Sequence, residues 1–206
     1  MFANMKIGVR LAIGFAAVLS LLVFIAVLGF LRISALNSQV EQVTADLFPK
    51  TVMANDVIDA VNVIARRLRN AYIFKDGEAQ KEIEQIAEQR KIISDRLDKL
   101  EKTVVSEAGK AALKKINEAR AHYVVDQDRY LETLKAGKRD EAAAILAVDL
   151  RKSQAEYMGA VNTMVDLQTE LVTKAGKDAE AMADTAERLL IGAALVAALV
   201  LSLIHI

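Results

Sequence analysis

The sequence alternates between two regions without charge and one long region rich in charge. Residues 11–31 and 189–206 contain no Lys, Arg, Asp or Glu, whereas residues 32–188 carry every acidic residue and all but two of the 27 basic residues. An apolar run of about 20 residues is long enough to cross a bilayer as a helix. The pattern predicts a transmembrane helix over 11–31, a water-exposed domain over 32–188 and a truncated transmembrane helix over 189–206.

The residues before the first apolar run predict its orientation. Lys6 and Arg10 precede the run and no acidic residue does, so residues 1–10 are expected in the cytoplasm. A cleaved signal peptide is the rival interpretation, but its apolar region is normally about 7–15 residues long. Because the apolar pattern continues into Ile33 and Leu36, an uncleaved anchor is favoured.

The second apolar run follows Arg188 and would return the chain to the cytoplasm. Cytoplasmic ends of transmembrane helices normally carry Lys or Arg, and none follows here. His205 would also be an expensive residue at that depth in a bilayer. We therefore expect a fragment that is cut within its second span, and it stays open whether Ser202–Ile206 are native.

Three short polar clusters divide the middle region into four predicted helices. The clusters are Lys75-Asp76-Gly77, Ser106-Glu107-Ala108-Gly109 and Ala136-Gly137-Lys138. A glycine just past a helical run is the usual left-handed C-terminal cap. Between the clusters, apolar residues recur at spacings of three, four and seven, as in packed antiparallel helices. The prediction is an all-α, antiparallel up-down four-helix bundle.

The same periodicity predicts which side chains form the core. The expected core positions are Val57, Val61, Ile64, Leu68, Ile83, Ile86, Ile93, Leu97, Leu100, Val104, Leu113, Ile116, Tyr123, Tyr130, Leu134, Met158, Val161, Val165, Val172, Ala175, Ala179, Met182 and Ala186.

Helix one is predicted over 33–75 and helix two over 78–105, so helix one is longer by roughly 22 Å. A monomer would leave the heptad positions between Ile33 and Leu47 half exposed, which predicts a parallel homodimer. Pro49 lies almost level with the turn between helices two and three. We expect a kink there, either functional or incidental.

The composition excludes several kinds of chemistry. The chain has no Cys, only two His, and no phosphate-binding loop, zinc-protease motif or nucleophile elbow. We therefore expect no catalytic residue, no metal and no cofactor. Acidic pairs such as Glu82 and Glu84 are expected on solvated faces. Because both signs of charge are balanced, we also expect no nucleic-acid partner.

Several polar residues occupy positions of the three-, four- and seven-residue spacing, here called seam positions, where apolar residues are expected. Arg90 falls on the stripe of helix two, and the others are Arg120, Gln127, Gln154 and Gln168. Counted from the end far from the membrane, Arg90 and Gln127, together with Arg151 and Lys152 of helix four, agree to about one turn with Arg66 in the arginine-rich run of helix one. This agreement predicts a positive layer near that end. Buried guanidinium groups need compensation. A carboxylate ligand would supply it, and the alternative is that these side chains reach solvent or pair with Glu88, Asp95 or Asp149.

At this point the sequence resembles the amino-terminal half of bacterial methyl-accepting chemotaxis proteins with a four-helix-bundle sensor domain. The resemblance covers essentially the whole chain. It is carried by Lys6 and Arg10 before the first span, Leu47-Phe48-Pro49, Arg66-Arg67-Leu68-Arg69-Asn70, Gly137 with Asp140-Glu141-Ala142, and Gln154 with Tyr157 before the heptads of Gln168.

The resemblance implies a multi-pass receptor of the bacterial inner membrane with a periplasmic sensor domain. In that family, helix-one arginines grip the carboxylates of amino acids or organic acids at a dimer interface, and helix-four polar residues complete the site. Together with Arg90 from the seam pattern, the expected ligand-binding residues are Arg66, Arg67, Arg69, Tyr72, Arg90, Arg151, Gln154 and Tyr157.

The sequence departs from the family after the second span, where no relay linker and no methylated cytoplasmic hairpin follow. The expected partners are a second subunit, a small anionic ligand, the lipid bilayer and a signalling module missing from this chain. Two alternatives stay open. One is the sensor half of a histidine kinase or diguanylate cyclase, and the other is a ligandless, membrane-tethered helical scaffold.

Overall fold

The computed structural model describes residues 7–205, without the side chains of residues 10, 76, 200, 201 and 203–205. The predictions that rest on Lys6, the Arg10 side chain and the His205 side chain lie outside this part. The chain divides into two compact units. We call Thr44–Val172 the bundle unit, and Met1–Val43 with Thr173–Ile206 the terminal unit.

The described part of the chain is helical throughout, apart from short turns, and contains no strand. The prediction of an all-α fold is therefore confirmed. The elements are α1 (Ile7–Glu41), a π-helical turn (Gln42–Leu47), α2 (Phe48–Ile73), α3 (Asp76–Thr103), α4 (Glu107–Lys135), α5 (Arg139–Ala147) and α6 (Asp149–His205). The last helix contributes residues to both units.

Side-chain contacts show that neighbouring helices of the bundle unit run antiparallel. On α2 and α3, Arg67 pairs with Glu82 while the earlier Asp56 pairs with the later Arg96. The residue numbers of the partners therefore increase along one helix as they decrease along the other, as in antiparallel helices. The remaining neighbouring pairs are marked by Arg90–Gln127, Asn117–Glu101, Arg129–Asp149 and Tyr123–Tyr157.

The core predicted from the heptad pattern is largely confirmed within the bundle unit. Val57, Val61, Ile64 and Leu68 of α2 are each at most 1% exposed. Full burial of one such side chain contributes about 1.5–3 kcal/mol, so these positions hold the helices together. Predicted positions near the helix ends, including Ile83 and Leu134, are only half-buried.

Two of the three glycine assignments are wrong, although all three turns are present. Gly137 has φ 75° and follows α4 as a left-handed cap. Gly77 and Gly109 instead lie in the first turns of α3 and α4. At Gly109 a Cβ would overlap Val104 Cγ1. Ser106 is the N-cap of α4, and its Oγ accepts a hydrogen bond from the Gly109 amide at 3.1 Å. The glycine is there because its neighbours leave no room for a side chain.

The fourth helix is not continuous, contrary to the prediction. It breaks at Val148, which has φ −112° and ψ −70° and separates α5 from α6. The hydrogen bonds from Val148 N to Ala144 O and from Lys152 N to Val148 O continue on both sides at 3.0–3.1 Å. Because the break contains neither Pro nor Gly, the sequence carries no signal for it.

The first helix changes from α-helical to π-helical hydrogen bonding close to Pro49, where the sequence predicts a kink. The change takes the form of the π-helical turn over Gln42–Leu47, and Pro49 lies in the first turn of α2. Because the residues before Pro49 are helical and proline lacks an N–H, one backbone hydrogen bond of a regular helix is missing at this point. Beside it, the buried Lys50 side chain pairs with Asp46 at 2.6 Å.

The terminal unit exposes its apolar side chains. Leu11, Phe15, Phe30 and Leu195 are 62–73% exposed. One helical run among the described residues, Ile7–Ile73, is by length and composition apolar enough to cross a membrane, and only 6% of its most apolar window is buried. The predicted second span over 189–206 overlaps side chains that lie outside the described part.

Candidate functional site

The arginine-rich run on α2 forms an open cleft of about 440 Å³ on the bundle unit. It is lined by Arg66, Arg67, Arg69, Asn70 and Ile73. Residues three and four apart lie on one face of a helix, so the spacing of these residues brings their side chains together. Three of the eight residues that the sequence nominates, Arg66, Arg67 and Arg69, therefore share one surface.

One of these arginines is already paired within the chain. Arg67 Nη1 donates to Glu82 Oε1 at 3.1 Å and to Oε2 at 2.9 Å. Asn70 Nδ2 donates to the same Oε2 at 3.3 Å, and the Glu82 side chain is only 13% exposed. The expectation that Glu82 sits on a solvated face is wrong, because α3 presents this carboxylate to α2. The charge of Arg67 is thereby compensated.

The other two arginines of the cleft keep their charge available. Arg66 and Arg69 are both exposed. Arg69 Nε donates to Ala65 O of its own helix at 3.1 Å, which leaves the two terminal nitrogens of its guanidinium free of that bond. Among the described residues, neither arginine has an ion-pair partner within 4.0 Å. Two neighbouring cations without a carboxylate are a surface that attracts anions.

Tyr72 faces a different neighbour. The guanidinium of Arg139 at the start of α5 lies 4.5 Å from the centroid of the Tyr72 ring. Arg139 Nη2 also donates to Tyr72 O at 2.6 Å. A cation over an aromatic face contributes about 0.5–1 kcal/mol at an exposed site. This contact joins the end of α2 to α5, and no sequence pattern singles out Arg139.

Arg90 belongs to a polar layer between α3 and α4. Its Nε and Nη2 donate to Gln127 Oε1 at 3.0 and 2.9 Å, and Nη2 also reaches Asp128 Oδ1 at 2.7 Å. Nearby, Arg120 Nη2 donates to Ser94 Oγ at 2.6 Å. Gln127 is buried, as its seam position predicts, while both arginines are half-buried.

The three nominated residues of α6 have different surroundings, and none of them lines the cleft on α2. Arg151 is exposed, Gln154 is half-buried with its Nε2 3.7 Å from Met158 Sδ, and Tyr157 is 1% exposed. The Tyr157 ring packs against Tyr123 with centroids 6.0 Å apart.

Three buried tyrosines have altered acidity. Burial raises the pKa of Tyr130 to about 12, with a smaller rise from Tyr72 and a lowering effect from Arg139. Burial also raises the pKa of Tyr123 and of Tyr157, against the lowering effect of Arg90 on the first and of Arg120 on the second. All three phenols are therefore neutral near pH 7. Among the described residues no cluster of His, Cys, Asp and Glu is arranged to hold a metal ion.

One protein-family model matches the sequence. It is described as a four-helix-bundle sensory module for signal transduction, and it covers residues 4–183. No individual curated protein matches the chain.

Proposed function

The chain belongs to the family of four-helix-bundle sensory modules of methyl-accepting chemotaxis proteins, and on this premise we propose that it senses a small periplasmic anion as part of a transmembrane chemoreceptor. The observation that carries the ligand class is the pair Arg66 and Arg69, exposed on one face of α2 without a carboxylate partner among the described residues. Guanidinium groups bind carboxylates through forked, charge-assisted hydrogen bonds. An organic acid or an amino acid fits this chemistry.

A second subunit would close the cleft. Its lining comes from α2 alone, so a bound carboxylate would remain open to water on one side in a single chain. The same helix exposes Phe48, Val52 and Ile73, which are 57%, 41% and 65% exposed. Apolar side chains of this kind favour burial against another protein surface. These features support a homodimer in which α2 of one subunit faces α2 of its partner.

The exposed apolar surface of the terminal unit supports the membrane part of the proposal. Residues 11–31 would span the inner membrane, residues 32–188 would lie in the periplasm, and residues 189–206 would form part of a second span. Ligand would favour one of two arrangements of the helices, and the change would pass through the membrane to a cytoplasmic signalling module. The chain would have no catalytic activity of its own.

A thermal-shift screen tests the ligand site. The full chain, purified in detergent, would be heated with a panel of mono-, di- and tricarboxylates and amino acids. We expect at least one compound to raise the melting temperature, and Arg66→Ala or Arg69→Ala to weaken its binding at least about tenfold, since a hydrogen bond to a charged group contributes about 1.5–3 kcal/mol.

Arg151→Ala is the matched control, because Arg151 is also exposed but lies outside the cleft. It should leave the shift unchanged. If no compound stabilises the chain, the ligandless scaffold is the better explanation. If Arg66→Ala and Arg69→Ala both bind normally, the assigned site is wrong even though the family is right.

Protease protection tests the topology. In spheroplasts, an added protease should cleave within residues 32–188 while the same segment in intact cells stays protected. Cleavage of this segment only after the inner membrane is opened would place it in the cytoplasm and contradict the receptor proposal.

A further inference from the structure

Three tyrosines are buried in the bundle unit, and they differ in what their hydroxyl groups contact. Tyr130 on α4 donates its hydroxyl hydrogen to Leu68 O at 2.8 Å. Tyr123, two turns earlier on α4, and Tyr157 on α6 are each 1% exposed and pack against each other at an interplanar angle of 45°. Among the residues that the structure describes, neither of these two hydroxyls has a hydrogen-bonding partner.

Two unpaired phenol hydroxyls in one core layer are unusual. Leaving a buried polar group unsatisfied costs about 1–3 kcal/mol, and nearly all buried polar atoms in folded proteins have a partner from protein or water. The adjacent Tyr130 shows that this bundle can satisfy a buried phenol with a backbone carbonyl. The Tyr123–Tyr157 pair therefore points to a partner other than this chain.

The surrounding side chains do not supply that partner. Arg90 directs its donors to Gln127 and Asp128, and Arg120 directs a donor to Ser94. The two phenols influence one another electrostatically: burial raises the pKa of Tyr123 most, Arg90 lowers it, Tyr157 adds a smaller rise, and Arg69 lowers it. Their oxygens nevertheless form no hydrogen bond with each other. The two hydroxyls thus belong to one pair of packed, buried rings, are neutral near pH 7 and are not hydrogen-bonded to each other.

A molecule that both donates and accepts hydrogen bonds suits this arrangement. A phenol hydroxyl has one hydrogen to give and lone pairs to offer, and water can do both for two hydroxyls at once. Buried water typically makes about three hydrogen bonds to otherwise unsatisfied groups. We propose that the layer formed by Tyr123 and Tyr157 is an internal hydration site, in which ordered water between the hydroxyls of α4 and α6 links the two helices.

Phenylalanine variants test the site by thermal unfolding of the full chain in detergent. If water joins the two hydroxyls, Tyr123→Phe and Tyr157→Phe should each lower the melting temperature by a few degrees. The double variant should lower it by clearly less than the sum, because both changes remove the same link. Tyr130→Phe, which removes a direct bond to Leu68 O, is the matched control, and its effect should add to that of either variant.

The opposite result is equally clear. If the hydroxyls have no partner, replacing them by hydrogen removes an unfavourable buried group, so both single variants should melt at the same or a higher temperature. That outcome, or strict additivity in the double variant, would overturn the proposal.

Nuclear magnetic resonance gives a readout that does not depend on stability. The chain contains only four tyrosines, so selective tyrosine labelling yields few signals, each assigned by its Phe variant. Cross-relaxation between long-lived water and the rings of Tyr123 and Tyr157 is expected. In Tyr123→Phe, the cross-relaxation between water and the Tyr157 ring should disappear. The Tyr130 ring serves as the control. Absence of the cross-relaxation from both rings would refute the proposal.

A salt series separates water from an anion. Sodium formate should leave the difference in melting temperature between the wild type and Tyr123→Phe unchanged. A difference that grows with formate concentration would assign the place to an anion attracted by the neighbouring arginines, and would overturn the assignment to water.

Discussion

The bundle unit and the terminal unit use apolar side chains in opposite ways. In the bundle unit Val57, Leu100 and Ile116 are fully buried, whereas Phe15 and Phe30 of the terminal unit are more than 70% exposed. Contiguous apolar surface of this kind rarely faces water in a folded protein. The stability of the bundle unit is therefore set by contacts within the chain, and that of the terminal unit depends on what surrounds it.

Alkaline pH should produce the largest difference in stability between the two units. Burial raises the pKa of Tyr130 to about 12 and also raises that of Tyr123 and of Tyr157. Unfolded tyrosines lose their protons near pH 10 while these remain protonated, so the unfolded state binds fewer protons and the free energy of unfolding falls as pH rises above about 10. Tyr130 alone accounts for roughly 2–3 kcal/mol by about pH 12.

The measurement is denaturant unfolding at several pH values, followed by tyrosinate absorbance and circular dichroism. Residues 11–31 carry no titratable side chain, so the α1 helix should keep its helicity over the same range. A free energy of unfolding that stays constant from pH 9 to about 12 would contradict the expectation.

The same substitution in the two units should have very different effects. Leu97 is 2% exposed in the bundle core and Leu22 is 60% exposed on α1. Leu97→Ala leaves a cavity and should lower the free energy of unfolding by about 2–5 kcal/mol, whereas Leu22→Ala should change it by less than about 0.5 kcal/mol.

Tyrosine fluorescence measures this contrast, since all four tyrosines lie in the bundle unit and the chain has no Trp. Equal effects of the two substitutions would show that α1 contributes to the stability of the bundle core.

Glycine substitution should give the smallest contrast. A Cβ at Gly109 would overlap Val104 Cγ1 and lie 2.9 Å from Ser106 Oγ, whereas nothing lies within 4 Å of the Cβ position at Gly29. Gly109→Ala should destabilise the bundle by about 1–3 kcal/mol. Gly29→Ala should leave the melting temperature of the bundle unchanged and favour the α1 helix by up to about 1 kcal/mol. A Gly109→Ala variant as stable as the wild type would mean that Val104 moves aside easily.

The sequence predicts the fold well wherever a single helix face decides the outcome. Heptad spacing identified Val57, Val61, Ile64 and Leu68 as core, because burial follows directly from helical periodicity. It did not identify the break at Val148, which contains no helix-breaking residue. It predicted a kink at Pro49, but a proline alone does not indicate a π-helical turn.

The candidate site was predictable in part for the same reason. Arg66, Arg67 and Arg69 are neighbours in sequence, so a single helix brings them together. The pairing of Arg67 with Glu82 and the contact of Arg139 with Tyr72 depend on how separate helices meet. No local pattern encodes such contacts, and a single sequence without related sequences offers no covariation from which to infer them.

The π-helical turn over Gln42–Leu47 has a consequence for protein engineering. Such a turn closes its hydrogen bonds one residue further along than an α-helix does, so the six residues Gln42–Leu47 do not follow the geometry of a regular α-helix. A chimera that fuses a foreign membrane anchor to α2 at a site beyond Leu47 would therefore replace this turn, whereas a junction before Gln42 would keep it.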